Sequence, residues 1–123
     1  MRNEENDKFI FEDLKVYQRA LDLAIELIRI AGEFPIKYSR LRDQLIGAAI
    51  SIPLNLAEGS GRLTPKDKRN FYKNSRASLF EIIPILEISY KLNLIVEKDI
   101  NNFRKEAVII SKIISALMRN NKS

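Results

Sequence analysis

The sequence contains no cysteine and no histidine. Without cysteine there are no disulfides, no thiolate metal sites and no cysteine nucleophile. Without histidine, Ser-His-Asp triads, His-ligated zinc, Glu-x-x-His di-iron bundles and ribonucleases with a histidine general acid all drop out. Catalysis would have to run on Lys, Arg, Glu or Tyr, so no enzyme activity, no cofactor and no metal are expected. Long apolar runs are missing as well. None approaches the ~18–20 residues that span a bilayer, so no membrane partner is expected. The segment from Met1 to Asp13 holds three more acids than bases, the reverse of a signal peptide. A cytoplasmic protein is the expectation that follows.

What remains is the profile of a folded domain. Hydrophobic residues make up 46% and charged residues 30%, too apolar for a disordered chain. At 123 residues the chain supports one domain, residues 1–123, with a core of its own.

The apolar pattern is helical throughout and predicts four helices, over about residues 13–31, 38–58, 65–92 and 98–118. The four glycines and four prolines fall mostly in the breaks. In the first helix Tyr17, Leu21, Ala24, Ile28 and Ala31 share one face, and Lys15, Arg19, Asp22, Glu26 and Arg29 crowd the opposite side. Gly32 supplies its stop, with Pro35 beyond. The second helix carries Leu41, Leu45, Ala49, Ile52 and Leu56 as its stripe, with Pro53 inside it as an expected kink. Thr64-Pro65-Lys66-Asp67 opens the third: Thr for the N-cap, Pro for the first turn, and a carboxylate at the positive end of the dipole. Phe71, Leu79, Ile82 and Leu86 are its core face, and Pro84 is a second internal proline. The fourth repeats Ile100, Phe103, Ala107, Ile110, Ile114 and Leu117, ahead of a polar tail, Arg119 to Ser123, expected to fray. Short connections make this an all-α, antiparallel up-down-up-down four-helix bundle.

The helices are more apolar than a solitary bundle needs. Val16, Leu23 and Ile30 form a second ridge on helix one; Phe80, Ile83, Pro84 and Ile88 lie off the stripe of helix three, and Ile109 and Ile113 off that of helix four. Surplus on three helices points to assembly into a homo-oligomer.

Charge is concentrated. The chain carries +5 in total, and residues 60–76 alone carry +5: Arg62, Lys66, Lys68, Arg69, Lys73 and Arg76 against Asp67. Lys66, Arg69, Lys73 and Arg76, spaced three, four and three, fall on one stripe of helix three directed away from Phe71, Ile82 and Leu86. Arg62 and Lys68 flank it, Asn70 and Asn74 add donors, and Tyr72 offers a stacking ring. Such a face suits a phosphate backbone rather than base edges, although charge runs also serve only solubility. A small helical mutase for an anionic metabolite would need these groups pointing inward instead.

A polar row on helix two, Gln44, Ser51, Asn55 and Glu58, lies beside its apolar face. Ser75 and Ser78 of helix three are its natural partners in an interhelical network that fixes register.

The segment Ser51-Ile-Pro-Leu-Asn-Leu-Ala-Glu-Gly59, preceded by Gln44-Leu45, resembles the signature of the 23S ribosomal RNA intervening sequence proteins. Ser78-Leu79-Phe80-Glu81 and the opening Phe11-Glu12-Asp13-Leu14-Lys15-Val16-Tyr17 are similar to that family too. Ile46-Gly47 and Pro84 depart from its pattern. The likeness extends from roughly Phe11 to Met118. It implies a homopentameric barrel of bundles with a basic surface and no catalytic residues. Related proteins serve diversity-generating retroelements as accessory variability determinants that bind nucleic acid and a reverse transcriptase. Five copies would carry +25. The expected function is thus a non-enzymatic, homopentameric bundle that binds nucleic acid, RNA rather than DNA, through the basic stripe. The alternative is a protein–protein adaptor, such as a partner of a reverse transcriptase.

Overall fold

A computed structural model describes residues 8–121. Four helices account for most of them: α1 (Lys15–Gly32), α2 (Ser39–Ser60), α3 (Pro65–Lys91) and α4 (Glu97–Asn120). There is no strand among the described residues. Consecutive helices pack on one another, and α1 closes the bundle against α4. None of the four is long and apolar enough to cross a membrane.

The core is built from the small and branched residues that the spacing marks on α2, α3 and α4. Leu45, Ala49, Ile52 and Leu56 from α2 meet Leu79, Ile82 and Leu86 from α3 and Ile110 and Ile114 from α4, all at most 1% exposed. Phe71, expected among them, is only half-buried. Both internal prolines sit within unbroken α-helix, Pro53 buried and Pro84 exposed.

Helix α1 differs from its expected orientation. Its buried residues are Val16, Ala20, Leu23, Ala24, Leu27 and Ala31, whereas Leu21 is 38% and Ile25 40% exposed. The buried face is rotated by about 80° from the stripe through Tyr17 and Leu21, at 100° per residue. Val16 and Leu23, expected as the surplus ridge, are core; Leu21 and Ile25 are the surplus instead. The apolar arc of α1 is wide enough for either choice, and burial of Val16, Leu23 and Leu27 against the other helices sets it. The same orientation lets Arg19 make two hydrogen bonds to the Glu106 carboxylate of α4, at 2.8 and 3.0 Å. Ala20 and Ala31, with no side-chain bulk, allow the close approach.

The ends of the helices are defined by specific bonds. Residues Ile10–Asp13 form a 3₁₀ turn ahead of α1, so α1 begins two residues later than expected. At the end of α3, Asn93 takes φ of 61°, and the Leu94 amide reaches the Ser89 carbonyl while the Asn93 amide reaches that of Tyr90. This six-to-one and five-to-two pattern satisfies the last carbonyls of α3. Arg119 and Asn120, expected in the tail beyond the last helix, continue it. Helix α4 runs to Asn120, and the Asn121 side chain donates to the Leu117 carbonyl at 2.7 Å. Lys122, Ser123 and Met1 to Asp7, on which the tail and leader expectations also rested, lie outside the described residues.

Candidate nucleic-acid interface

The segment linking α2 to α3 carries the charge, and its geometry begins with Gly59. A Cβ there would stand 2.7 Å from Tyr72 Cε1 and 3.0 Å from Phe71 Cβ, so only glycine lets α3 start this close to the end of α2. Thr64 caps α3, its Oγ1 accepting from the Asp67 amide at 3.1 Å, and Pro65 occupies the first turn. The sequence reading of this cap rests on residue types that favour one position, and the structure has them in that position.

The six basic residues divide into two groups. Lys66 and Lys73 are exposed and make no ion pair with a described residue. The other four are also tied into the fold. Lys68, expected beside the stripe, instead sits under the end of α2, where its Nζ donates to the Ser60 carbonyl at 2.9 Å and lies 3.5 Å from that of Gly59. A cation at a helix C-terminus satisfies carbonyls that have no intrahelical partner and opposes the negative end of the dipole. Arg69 donates to the Asn121 carbonyl and Arg76 to the Ser115 hydroxyl at 3.1 Å, both half-buried ties to α4. Arg62 pairs with Glu58 at 3.1 Å and lies over the Phe71 ring, 4.5 Å from its centroid. The stripe therefore follows the α3–α4 seam.

Tyr72 is not the exposed stacking ring expected from the sequence. It is 4% exposed and packs against Gly59, and burial raises its phenol pKa above the ordinary value. Seen along the chain, Tyr72 adjoins charged positions; in the helix it points some 60° from Ser75, into the core. Two basic residues of α4 escaped the sequence reading, Lys112 and Arg119, both exposed. They lie within about 60° of Ser115 around the helix, beside the Arg76 contact. The missed signal is the lack of any acid after Glu106.

The polar row divides as well. The Ser78 hydroxyl donates to Ser51 Oγ at 2.8 Å, Ser75 donates to the Ile52 carbonyl at 2.8 Å, and Asn55 Nδ2 donates to the Ser51 carbonyl and Oγ. Ser51, Ser75 and Ser78 thus join α2 to α3, while Asn55, expected in the interhelical network, bonds only Ser51 within α2. Gln44 is exposed, and Glu58 is a surface partner of Arg62, so neither belongs to that network.

A family model for the 23S rRNA-intervening sequence protein matches residues 12–116. The chain belongs to this family. No curated protein matches it. The 23S rRNA-intervening sequence protein match takes in all of α1, α2 and α3, the polar links between α2 and α3, and every one of the six basic residues. It stops within α4, so Lys112 lies inside it while Arg119 and Asn121 lie beyond.

Proposed function

We propose that the protein is a non-enzymatic, homo-oligomeric antiparallel bundle that binds nucleic acid, structured or ribosomal RNA, along the basic α3–α4 seam. The observation that carries this reading is the location of the charge. Residues 60–76 hold the entire net charge, and their Lys66 and Lys73 stand exposed beside Arg69 and Arg76, with Lys112 and Arg119 continuing the surface. Exposed Lys and Arg without nearby acids attract phosphates and release their counterions. The family's description names 23S rRNA, which supports RNA over DNA as the ligand.

Assembly is supported by two apolar faces. One runs between α1 and α2, with Leu21, Ile25, Ile50 and Leu54 exposed around a groove of about 290 Å³. The other is the outer side of α3, where Phe80 is 62% and Ile88 49% exposed beside Pro84. Two unlike faces on one chain favour head-to-tail contacts that close into a ring; five copies is the number the resemblance implies. The contacts of Arg76 with Ser115 and of Glu87 with Arg104 support α3 and α4 running in opposite directions. The same outer face of α3 favours a second reading, an adaptor that meets a partner protein such as a reverse transcriptase.

The test is fluorescence anisotropy with structured RNA, duplex DNA and single strands over a salt series, alongside the mass in solution. The reading expects a mass several times that of one chain and RNA affinity falling steeply with salt. No binding at low salt makes the adaptor the better account.

A further inference from the structure

The 3₁₀ turn at Ile10–Asp13 forms one wall of a cleft of about 600 Å³, whose other walls are Leu54, Ala57, Ser60 and Arg62. Its rim is aromatic. Phe9 is 69% exposed and lies nearly parallel to Phe11, with centroids 5.8 Å apart and planes at 12°. Phe11 is in turn held edge-on by Tyr17 at 4.9 Å. Phe9 is thus anchored on one side while most of its surface meets solvent. Across the cleft, the Arg62 guanidinium lies over the Phe71 ring.

Each carboxylate at the cleft is held by a bond within the fold, and Lys8, Arg62 and, from the adjoining cavity, Lys68 balance the three negative charges. Glu12 accepts from the Phe9 amide at 3.1 Å, Asp13 pairs with Lys8 at 3.4 Å, and Glu58 pairs with Arg62. A smaller cavity of about 300 Å³ shares Ile10 and Ser60 with the cleft and reaches Lys68, Tyr72 and Asn121, the residue that holds Arg69. The aromatic cleft therefore adjoins, across Ile10 and Ser60, the cavity that reaches the Lys68 and Arg69 end of the basic stripe. An apolar slot with a few polar groups, set against cations, has the chemistry of a nucleobase site: every base has a π face, and both Phe and Arg planes stack on it.

We propose that this cleft binds one unpaired nucleobase from a strand whose phosphates run from Arg62 onto the α3–α4 seam, so that the protein binds best where a duplex meets unpaired nucleotides. This rests on the phosphate-binding reading above. The experiment compares a blunt RNA hairpin with the same hairpin carrying a short unpaired adenosine overhang. The full chain, its Phe9→Ala variant and its Phe9→Trp variant are used; the last provides the only tryptophan in the sequence.

The wild-type chain binds the overhang hairpin about tenfold tighter than the blunt one, the scale of a single stacked base. Phe9→Ala brings that ratio close to one while leaving blunt-hairpin affinity and its salt dependence unchanged, which also reports that the variant is folded. Phe9→Trp keeps the preference, and its emission is quenched by the overhang hairpin alone. Equal affinity of the wild-type chain for both hairpins, with strong salt dependence, overturns the cleft assignment and leaves phosphate binding standing. A Phe9→Ala loss that is the same for both hairpins overturns it too. Absence of binding to either hairpin at low salt overturns both readings together.

Discussion

The two halves of α3 present the same kind of inner face and opposite outer faces. Inward, both halves bury serines beside larger side chains: Tyr72 and Ser75 in the first, and Ser78, Leu79, Ile82, Ile85, Leu86 and Ser89 in the second. Outward, the first half shows Lys66 and Lys73, and the second shows Phe80, Pro84 and Ile88. The inner face is uniform because it meets helices of this chain over its whole length, where small hydroxyls bond α2 or their own backbone and permit close packing. No described residue covers the outer face. Its change from cationic to apolar halfway along is what the proposed function assigns to two partners, phosphates for the first half and protein for the second. The halves also differ in how they are fixed. Lys68, Arg69 and Arg76 tie the first half to α2 and α4, whereas the second has one exposed pair to α4, Glu87 with Arg104, beside its packing and its Asn93 cap.

Breaking the seat of the first half has the largest expected effect. Gly59→Val pushes a side chain into Tyr72 and Phe71 and lowers stability by about 3 kcal/mol, measurable by chemical denaturation. Ser51→Ala removes one of the two acceptors of both Ser78 and Asn55 and breaks the side-chain link between α2 and α3, and a loss of about 1–2 kcal/mol is expected in the same assay. Asn55→Ala costs less, about 1 kcal/mol, because its own bonds stay within α2.

How much of this was legible in the sequence depends on which neighbours decide it. The Thr64-Pro65 start and the α2 and α4 stripes depend on residues within a few positions, and spacing finds them. The orientation of α1 depends on which part of a broad apolar arc meets the distant helices that cover it, and the contact of Arg19 with Glu106, 87 residues away, accompanies that choice. Lys68 reads as one more surface cation until the end of α2 is seen above it. Gly59 reads as a helix stop, but its chief role is the close approach of Tyr72.

Two smaller effects sharpen the contrast between the halves. In the second half, Asn93→Ala places an ordinary side chain at φ of 61° and costs about 1 kcal/mol, whereas Asn93→Gly holds or raises the thermal midpoint. In the first half, Tyr72→Phe is near neutral at pH 7. The raised phenol pKa means that the unfolded chain loses its proton first. The wild-type chain therefore loses stability as pH rises past the ordinary tyrosine value of about 10, through the folded value. Thermal midpoints for the two proteins should separate only in that alkaline window, with Tyr72→Phe the less sensitive.

The division of α3 is tested most directly by titrating structured RNA against two double variants over a salt series. Lys66→Glu/Lys73→Glu alters the two exposed lysines that hold no fold contact, and Phe80→Glu/Ile88→Glu alters the apolar half. The account predicts that the lysine variant keeps its thermal midpoint and its assembly but loses at least about tenfold in affinity, with the salt slope reduced by about 2. The apolar variant should instead fall to a lower mass while each chain stays helical. RNA affinity and salt slope unchanged by reversing both lysines would contradict the account.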